Sequence, residues 1–462
     1  MAALSAPTAW PAGTHRPAAW AQRASATGRA HAAHGAQGNH ATQAEPVAKA
    51  ASALAQRAAT HRACAFVFIV NLPHLAQAYG QDFASAASLE VQRRLCAGFT
   101  SLPSSDMARL RDDCFLVWDN EAFECAAFGT QRAGAGLGAA LGASRRASHP
   151  VETLLAVLGA EPVRAGGIAA LVQLHADWID VRSPQQMGAS EIELTLWTAQ
   201  PFPDSRESRA DGWRQLYRAD MDVAVRVSEA LRADDLSFSW QPVVHPGSVA
   251  TTLYRSGRAR IAPSHGDGSS LVPEVFMPCL QRLGLTRAFD RIAMRRAVAA
   301  LRLQPSAQIG VSISAQSIQI DHWWASLLAV LEREPALASR LVIEIADSAS
   351  LPDLEAAHDF CVQLQMRGCR IAIRDFGGGS DNVAAVQACK PDIVKLDAAM
   401  LRRARDSQFG RECLRGMLAT SAHFAPHVVV EGVERDDDVH IAAHAGAQWL
   451  QGWGVGREGG KP

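Results

Sequence analysis

From Phe238 onward the chain repeats one pattern, in which a short apolar run gives way to a stretch of helical length. The runs are 238–244, 251–254, 309–313, 341–345, 370–373, 393–396, 428–430 and 448–450. Helix candidates lie between them, among them 286–303, 323–334, 354–366 and 410–424. Apolar runs of this length, bounded by turn signals, read as strands buried on both faces. Two α/β architectures meet that demand, a TIM-type (β/α)8 barrel and a doubly wound open sheet. In both, chemistry collects where the strands end.

The fifth run opens residues 370–382, RIAIRDFGGGSDN. Ile371, Ala372 and Ile373 end in the charged pair Arg374-Asp375, and Gly377, Gly378 and Gly379 follow. Glycines there let the backbone take dihedrals closed to other residues and come close to a ligand.

A chain of 462 residues is too long for one ordinary core, so two or three domains are expected. Hydrophobic content of 48% with 20% charged residues is that of a globular protein. A formal net charge of -1 argues against nucleic acid or an anionic membrane surface as partner. The nine cysteines are odd in number and form no C-x-x-C, which reads as reduced thiols in a cytoplasmic protein. No run approaches the length of a membrane-spanning helix, so no span is expected.

Residues 1–57 are rich in Ala and Gly, and no acid precedes Glu45; this composition predicts a disordered tail. His15, His31, His34 and His40 lie in it with nothing to position them. Residues 58–200 carry strand candidates at 66–71, 107–110, 116–118, 168–172 and 178–181 and a helix at 85–99, an α+β sandwich. A Pro- and Ser-rich join at 201–209 precedes a helix over 213–231, with Leu216, Met221, Val225 and Val227 near one face. The join and helix, 201–232, link the first domain to a second over 233–458.

Several segments of that second domain occur in a recognisable order. Trp240-Gln241-Pro242-Val243-Val244 is similar to a YQPIV opening, and Val311-Ser312-Ile313-Ser314 to VNLS. Pro273, Phe276 and Pro278 follow a PxxFIP pattern, and Leu341–Glu344 an LxxE strand. Arg374–Gly377 is similar to DDFG, Lys395-Leu396-Asp397 to KID, Glu431-Gly432-Val433-Glu434 to EGVE and Gln451-Gly452-Trp453 to QGY. Together they resemble the EAL domain, a phosphodiesterase module for the bacterial second messenger cyclic di-GMP, and this resemblance selects the barrel over the open sheet. The order of elements in 58–200 resembles the GGDEF domain, the diguanylate cyclase module that commonly precedes EAL domains. Its hairpin signature falls on Arg111-Asp112-Asp113-Cys114-Phe115, and its metal-binding Asp on Asn71.

The resemblance also implies site residues. Two-metal hydrolysis of a phosphodiester needs carboxylates and amides that hold two cations beside the attacking water. The family's ligands from the EAL, VNLS, fourth-strand and DDFG segments fall on Thr251, Ser312, Glu344 and Arg374. Three of these four oxygen ligands are thereby lost, and Mg²⁺ is not expected to bind. Glu344, Asp375, Lys395, Glu431 and Gln451 survive at family positions. Gln241, Arg255, Asp375, Lys395, Glu431 and Gln451 are the candidate ligand-binding residues, with Arg255 at the place of the phosphate-binding Arg of EALxR. The stretch 256–270 after it reads as a polar loop, with His265 and Asp267 solvated. Arg374 is expected to pair with Glu344, Asp375 or both, its guanidinium standing in for lost metal charge.

The chain thus resembles a tandem GGDEF–EAL protein with degenerate sites. One reading is a receptor that binds cyclic di-GMP without hydrolysing it. A second is a protein-binding regulator that has lost nucleotide binding, its partner unidentified, and a third and least favoured is an active phosphodiesterase. A homodimer is compatible with any of them. Arg374 folded over Glu344 would favour the second reading, and Arg374 turned aside the first.

Overall fold

The computed structural model describes residues 63–98, 107–119, 150–180, 211–262, 271–346, 353–378 and 383–460, with a few isolated positions besides. The tail 1–57 is almost wholly outside these residues. The four tail histidines, the join at 201–209, His265, Asp267 and Gly379 also lie outside them.

The N-terminal unit runs β1 (Ala63–Ile69), α1 (Leu72–Tyr79), α2 (Gln81–Gly98), β2 (Met107–Arg111), β3 (Cys114–Asp119), α3 (Pro150–Ala160), β4 (Val163–Ala165), β5 (Ile168–Ala170) and β6 (Leu174–Asp180). β2, β3, β1 and β6 form one sheet in that order, and β4 with β5 forms a separate hairpin. Ala65, Val67 and Ile69 of β1 share a buried cluster with Phe83, Ala87, Val91 and Leu95 of α2. Period two on the strand and near 3.6 on the helix bring these residues together. The expected strand 66–71 stops at Ile69. Asn71 instead donates to the Leu171 carbonyl at 2.9 Å and accepts from the Gln173 amide at 2.9 Å.

α4 (Asp211–Arg232) packs against both halves of the chain. Its Arg218 Nε donates to the Ala78 carbonyl at 2.7 Å, and its Asp220 receives a two-pronged contact from Arg282 at 2.7 and 2.6 Å. Met221, Val225 and Val227 are buried as expected. Leu216 is not, at 49% exposed, because Trp213 and Tyr217, both against the His74 ring, hold the contact face of that turn.

The second unit runs β7 (Leu236–His245), β8 (Ser248–Ile261), α5 (Pro273–Leu283), α6 (Thr286–Leu303), β9 (Ile309–Ser314), α7 (His322–Arg333), β10 (Leu341–Ala346), α8 (Leu354–Gln365) and β11 (Arg370–Phe376). It continues α9 (Val383–Cys389), β12 (Ile393–Leu396), α10 (Ala398–Asp406), α11 (Gln408–Ser421), β13 (His427–Val430), α12 (Asp436–Ala445) and β14 (Trp449–Leu450). The strands close as β10-β11-β12-β13-β14-β7-β8-β9, so the chain forms the barrel and not the open sheet. β7 is antiparallel to both neighbours, and the remaining pairs are parallel.

One expectation is corrected here. Residues 256–261 are not the start of a loop; they continue β8, paired with β7 from Leu236↔Ile261 to Gln241↔Ser256. The polar members Ser256, Arg258 and Arg260 alternate with Gly257, Ala259 and Ile261, which is strand periodicity hidden by small outward residues.

Candidate functional site

Val243, Tyr254, Val342, Ala372, Ile393 and Val429 form a separate buried cluster inside the barrel. Side chains two residues further along a strand lie on the same face. Stepping toward the strand C-termini by two therefore gives Ser256, Glu344, Arg374, Lys395 and Glu431. On β9 the same step leads from Gly310 to Ser312. A Cβ on Gly310 would fall 2.5 Å from the Tyr254 ring and 2.8 Å from Glu344 Oε1, so only glycine leaves room for that pair.

Glu344 is fully buried. Its Oε1 accepts from Tyr254 Oη at 2.7 Å and Lys395 Nζ at 3.3 Å, and its Oε2 accepts from Ser312 Oγ at 3.1 Å. Burial pushes its carboxyl up, but Lys395, Arg374, Tyr254 and Ser256 together outweigh this and hold it down at about 2. Tyr254 moves the other way, well above the usual phenol range, through burial and the charge of Glu344.

Lys395, also fully buried, bridges Glu344 to Glu431 Oε1 at 2.7 Å. Arg374 lies among three carboxylates: its Nε is 3.8 Å from Glu344 and 3.9 Å from Glu431, and its Nη2 is 4.0 Å from Asp375. Its Nη1 donates to Ser312 Oγ at 3.0 Å. Burial lowers the guanidinium's proton affinity, yet Glu431, Glu344 and Asp375 raise it further, so the net direction is up. Arg374 thus folds inward over Glu344. The turn comes from the next residue: Asp375 sits at φ 58, and the β11–β12 register shifts between Ile373 and Phe376. A non-glycine residue held in the left-handed region marks a locally constrained backbone.

Gln241 and Gln451 meet as neighbours on β7 and just past β14, with Gln451 Nε2 donating to Gln241 Oε1 at 3.0 Å. Gln241 pairs across the ladder with Ser256, so it faces the same interior. Two expected residues are elsewhere. Thr251 is exposed and five positions before Ser256, roughly 16 Å along the strand. The β8 side chain beside Glu344 is Ser256, which hydrogen-bonds it. Arg255 pairs with Pro242 and lies one residue out of phase with Tyr254 and Ser256, on the outer face. The guanidiniums on the inner face are Arg258 and Arg260. Their signal in the sequence was the alternation in Ser256-Gly257-Arg258-Ala259-Arg260.

At the N-terminal hairpin both carboxylates are already engaged. Asp112 meets Arg109 at 2.9 Å, and Asp113 meets Arg111 at 2.9 Å.

A closed eight-stranded α/β barrel with one inverted strand and a charged cluster at its strand C-termini defines the class. The EAL domain matches residues 224–458, just over half of the chain, and the chain belongs to that family. A signaling protein from Caulobacter vibrioides is 25% identical over 404 residues, covering 85% of this chain and 46% of the relative. The cyclic di-GMP phosphodiesterase TpdA of Vibrio parahaemolyticus is 34% identical over 121 residues, covering 25% of this chain and 21% of the relative. This chain therefore spans less than half the length of either relative. The S helix-GGDEF-EAL portion of Vibrio cholerae LapD aligns over 88% of this chain and 93% of that structure, with 14% identity and a TM-score of 0.46. Among the described residues, no helix is long and apolar enough to cross a membrane.

Proposed function

We propose that this chain is a non-hydrolysing EAL-type regulator in cyclic di-GMP signalling, cytoplasmic, acting by binding and not by turnover. The observation that carries the reading is the placement of the Arg374 guanidinium, where the family has a metal-binding Asp, within 4.0 Å of Glu344, Glu431 and Asp375. Two-metal hydrolysis needs those carboxylates free for divalent cations. Here the Arg374 guanidinium already stands among them, and Ser256 and Ser312 add only hydroxyls. A divalent ion about 4 Å from the guanidinium would be repelled by about 8 kcal/mol at an effective dielectric of 20, twice a unit pair. The residues present do not fit a two-metal centre, and no hydrolytic step is derived from them. The engaged Asp112 and Asp113, with Asn71 spent on backbone groups, support a GGDEF-like module that is likewise non-catalytic.

Arg258 and Arg260 suit a phosphate of cyclic di-GMP, because guanidinium forks match phosphate geometry. The inward Arg374 favours a second reading, in which the barrel centre is closed to nucleotide and the output is a protein contact. The test is incubation of the full chain with cyclic di-GMP and Mg²⁺ or Mn²⁺, followed by calorimetric titration. The expected result is no linear product. Turnover that disappears in Glu344→Ala would overturn the reading, and binding heat would separate its two forms.

A further inference from the structure

The last described residues fold back over the barrel as a strap. Trp240 N donates to the Gly459 carbonyl at 2.8 Å, and Gly459 N returns a bond to Trp240 O at 3.0 Å. A Cβ on Gly456 would lie 2.4 Å from Pro242 Cγ, so the strap is pressed flat on β7. Gln241 Nε2 also reaches the Gly456 carbonyl at 3.4 Å. This seat delivers Glu458 to the inner face of the β7–β8 ladder. Its Oε2 accepts from Ser239 Oγ at 2.5 Å and Arg260 Nη2 at 2.6 Å, and its Oε1 from Arg258 Nη1 at 3.3 Å.

The position of this contact gives it meaning. Ser239 pairs with Arg258. Arg258 lies one step beyond Gly257, which pairs with Val311, so it is level with Ser312 beside Glu344. The Glu458 side chain is 5% exposed, whereas both arginines keep 36% exposure. A carboxylate thus bridges the two arginines from the strap; Arg258 Nη2 is also held by Glu274 at 2.6 Å, and Arg260 Nε donates to Ser239 Oγ at 3.0 Å. Carboxylate and phosphate compete for the same guanidinium geometry.

We infer that Glu458 is an internal anion that locks the C-terminal strap onto Arg258 and Arg260, and that a phosphate-bearing ligand at the barrel mouth must displace it. The inference rests on the reading that the mouth accepts such a ligand. Ligand binding and strap release are then reciprocally coupled, as linkage requires. An occupied mouth frees residues 452–460, which become the moving part of a binding-driven regulator.

The experiment uses the full chain and two probes, inorganic pyrophosphate and cyclic di-GMP, with hydrogen exchange of residues 452–460 as readout. In the wild type, pyrophosphate is expected to speed exchange in the strap, which needs no mutation. In Glu458→Gln the strap exchanges faster without ligand, and pyrophosphate binds about fivefold tighter or more. Strap exchange indifferent to pyrophosphate, with unchanged affinity in Glu458→Gln, would overturn the lock and make Glu458 a structural clip. Release by pyrophosphate without any response to cyclic di-GMP would leave the lock standing and remove the nucleotide from the proposed function.

Discussion

Tyr254 donates its phenol to Glu344 Oε1 across 2.7 Å inside the barrel, and both side chains are buried. A hydrogen bond to a buried charge is worth more than a neutral one, and its loss leaves the carboxylate short of a donor. Tyr254→Phe is therefore expected to lower unfolding free energy at neutral pH by about 2 kcal/mol. The acid limb supplies the sign. Glu344 is held at about 2 against an ordinary 4.5, so its contribution is present above 4.5 and lost as pH falls toward 2. The variant holds Glu344 down less strongly, so the gap between the two proteins narrows over that window. Denaturant unfolding at several pH values checks it; equal stability at pH 7 would show the phenol to be idle.

Lys395 supplies the direct charge contact to both glutamates. Lys395→Met keeps most of the volume but leaves Glu344 with the longer Arg374 contact alone. Breaking a buried pair on one side typically costs about 3–5 kcal/mol. Glu344→Gln in the same chain removes the stranded charge, so the double variant is expected to be more stable than Lys395→Met alone. Additive losses in a double-mutant cycle would argue that the two side chains do not interact.

The barrel strands were legible because they are buried on both faces and read as unbroken apolar runs; those runs also fit an open sheet, and the ordered family motifs chose the barrel. The far half of β8 was not legible, since Ser256, Arg258 and Arg260 look like a polar loop unless their period of two is noticed. That oversight moved the expected position beside Glu344 by five residues, from Ser256 to Thr251, and put Arg255 in place of the inner-face Arg258 and Arg260. Glu344, Lys395 and Glu431 were readable from short motifs, but motifs carry no distances. Arg374 was expected against Glu344 and Asp375; Glu431 and Ser312 complete its surroundings, because the bend at Asp375 turns it across the barrel. Tyr254 had no polar signature at all. Its role depends on Gly310 on the next strand, a contact visible only once β8 and β9 are in register.

Asp290 of α6 fixes the end of β9. Its Oδ2 accepts from Ser314 N at 2.9 Å, Ser314 Oγ at 2.8 Å and Ser317 Oγ at 2.6 Å. Its Oδ1 is buried without a partner. Burial lifts the carboxyl from 3.8 to about 6 despite those three bonds. A raised folded value means the folded state holds the proton more tightly, so stability declines as pH rises from about 4 to 6. Asp290→Asn carries no titrating proton and should lack this decline. Its stability relative to wild type is expected to rise by on the order of 2 kcal/mol across the window. Parallel profiles would mean that Asp290 does not titrate there.

Arg374 allows the sharpest test of how the cluster balances its charge. Its guanidinium stands within 4.0 Å of Glu344, Glu431 and Asp375, and 31% of the side chain reaches solvent. Removing it leaves three carboxylates with Lys395 alone. A fully buried pair broken this way costs about 3–5 kcal/mol, and the solvent access here brings the expected loss for Arg374→Ala to about 1–3 kcal/mol. Part should return in mild acid. Without Arg374 the folded value of Glu344 lies closer to 4.5, so less stability depends on its ionisation as pH falls toward 2. Arg374→Asp adds a fourth carboxylate and should be less stable than Arg374→Ala in metal-free buffer. Mg²⁺ should then stabilise Arg374→Asp more than wild type, because binding to the folded state alone raises its stability by mass action. Ser256 and Ser312 in place of charged or amide ligands keep that affinity weak. The measurement is thermal melting of wild type, Arg374→Ala and Arg374→Asp across pH and Mg²⁺ concentration. Identical melting of wild type and Arg374→Ala throughout would mean the guanidinium balances nothing, and the case for a cation-filled centre would fall with it.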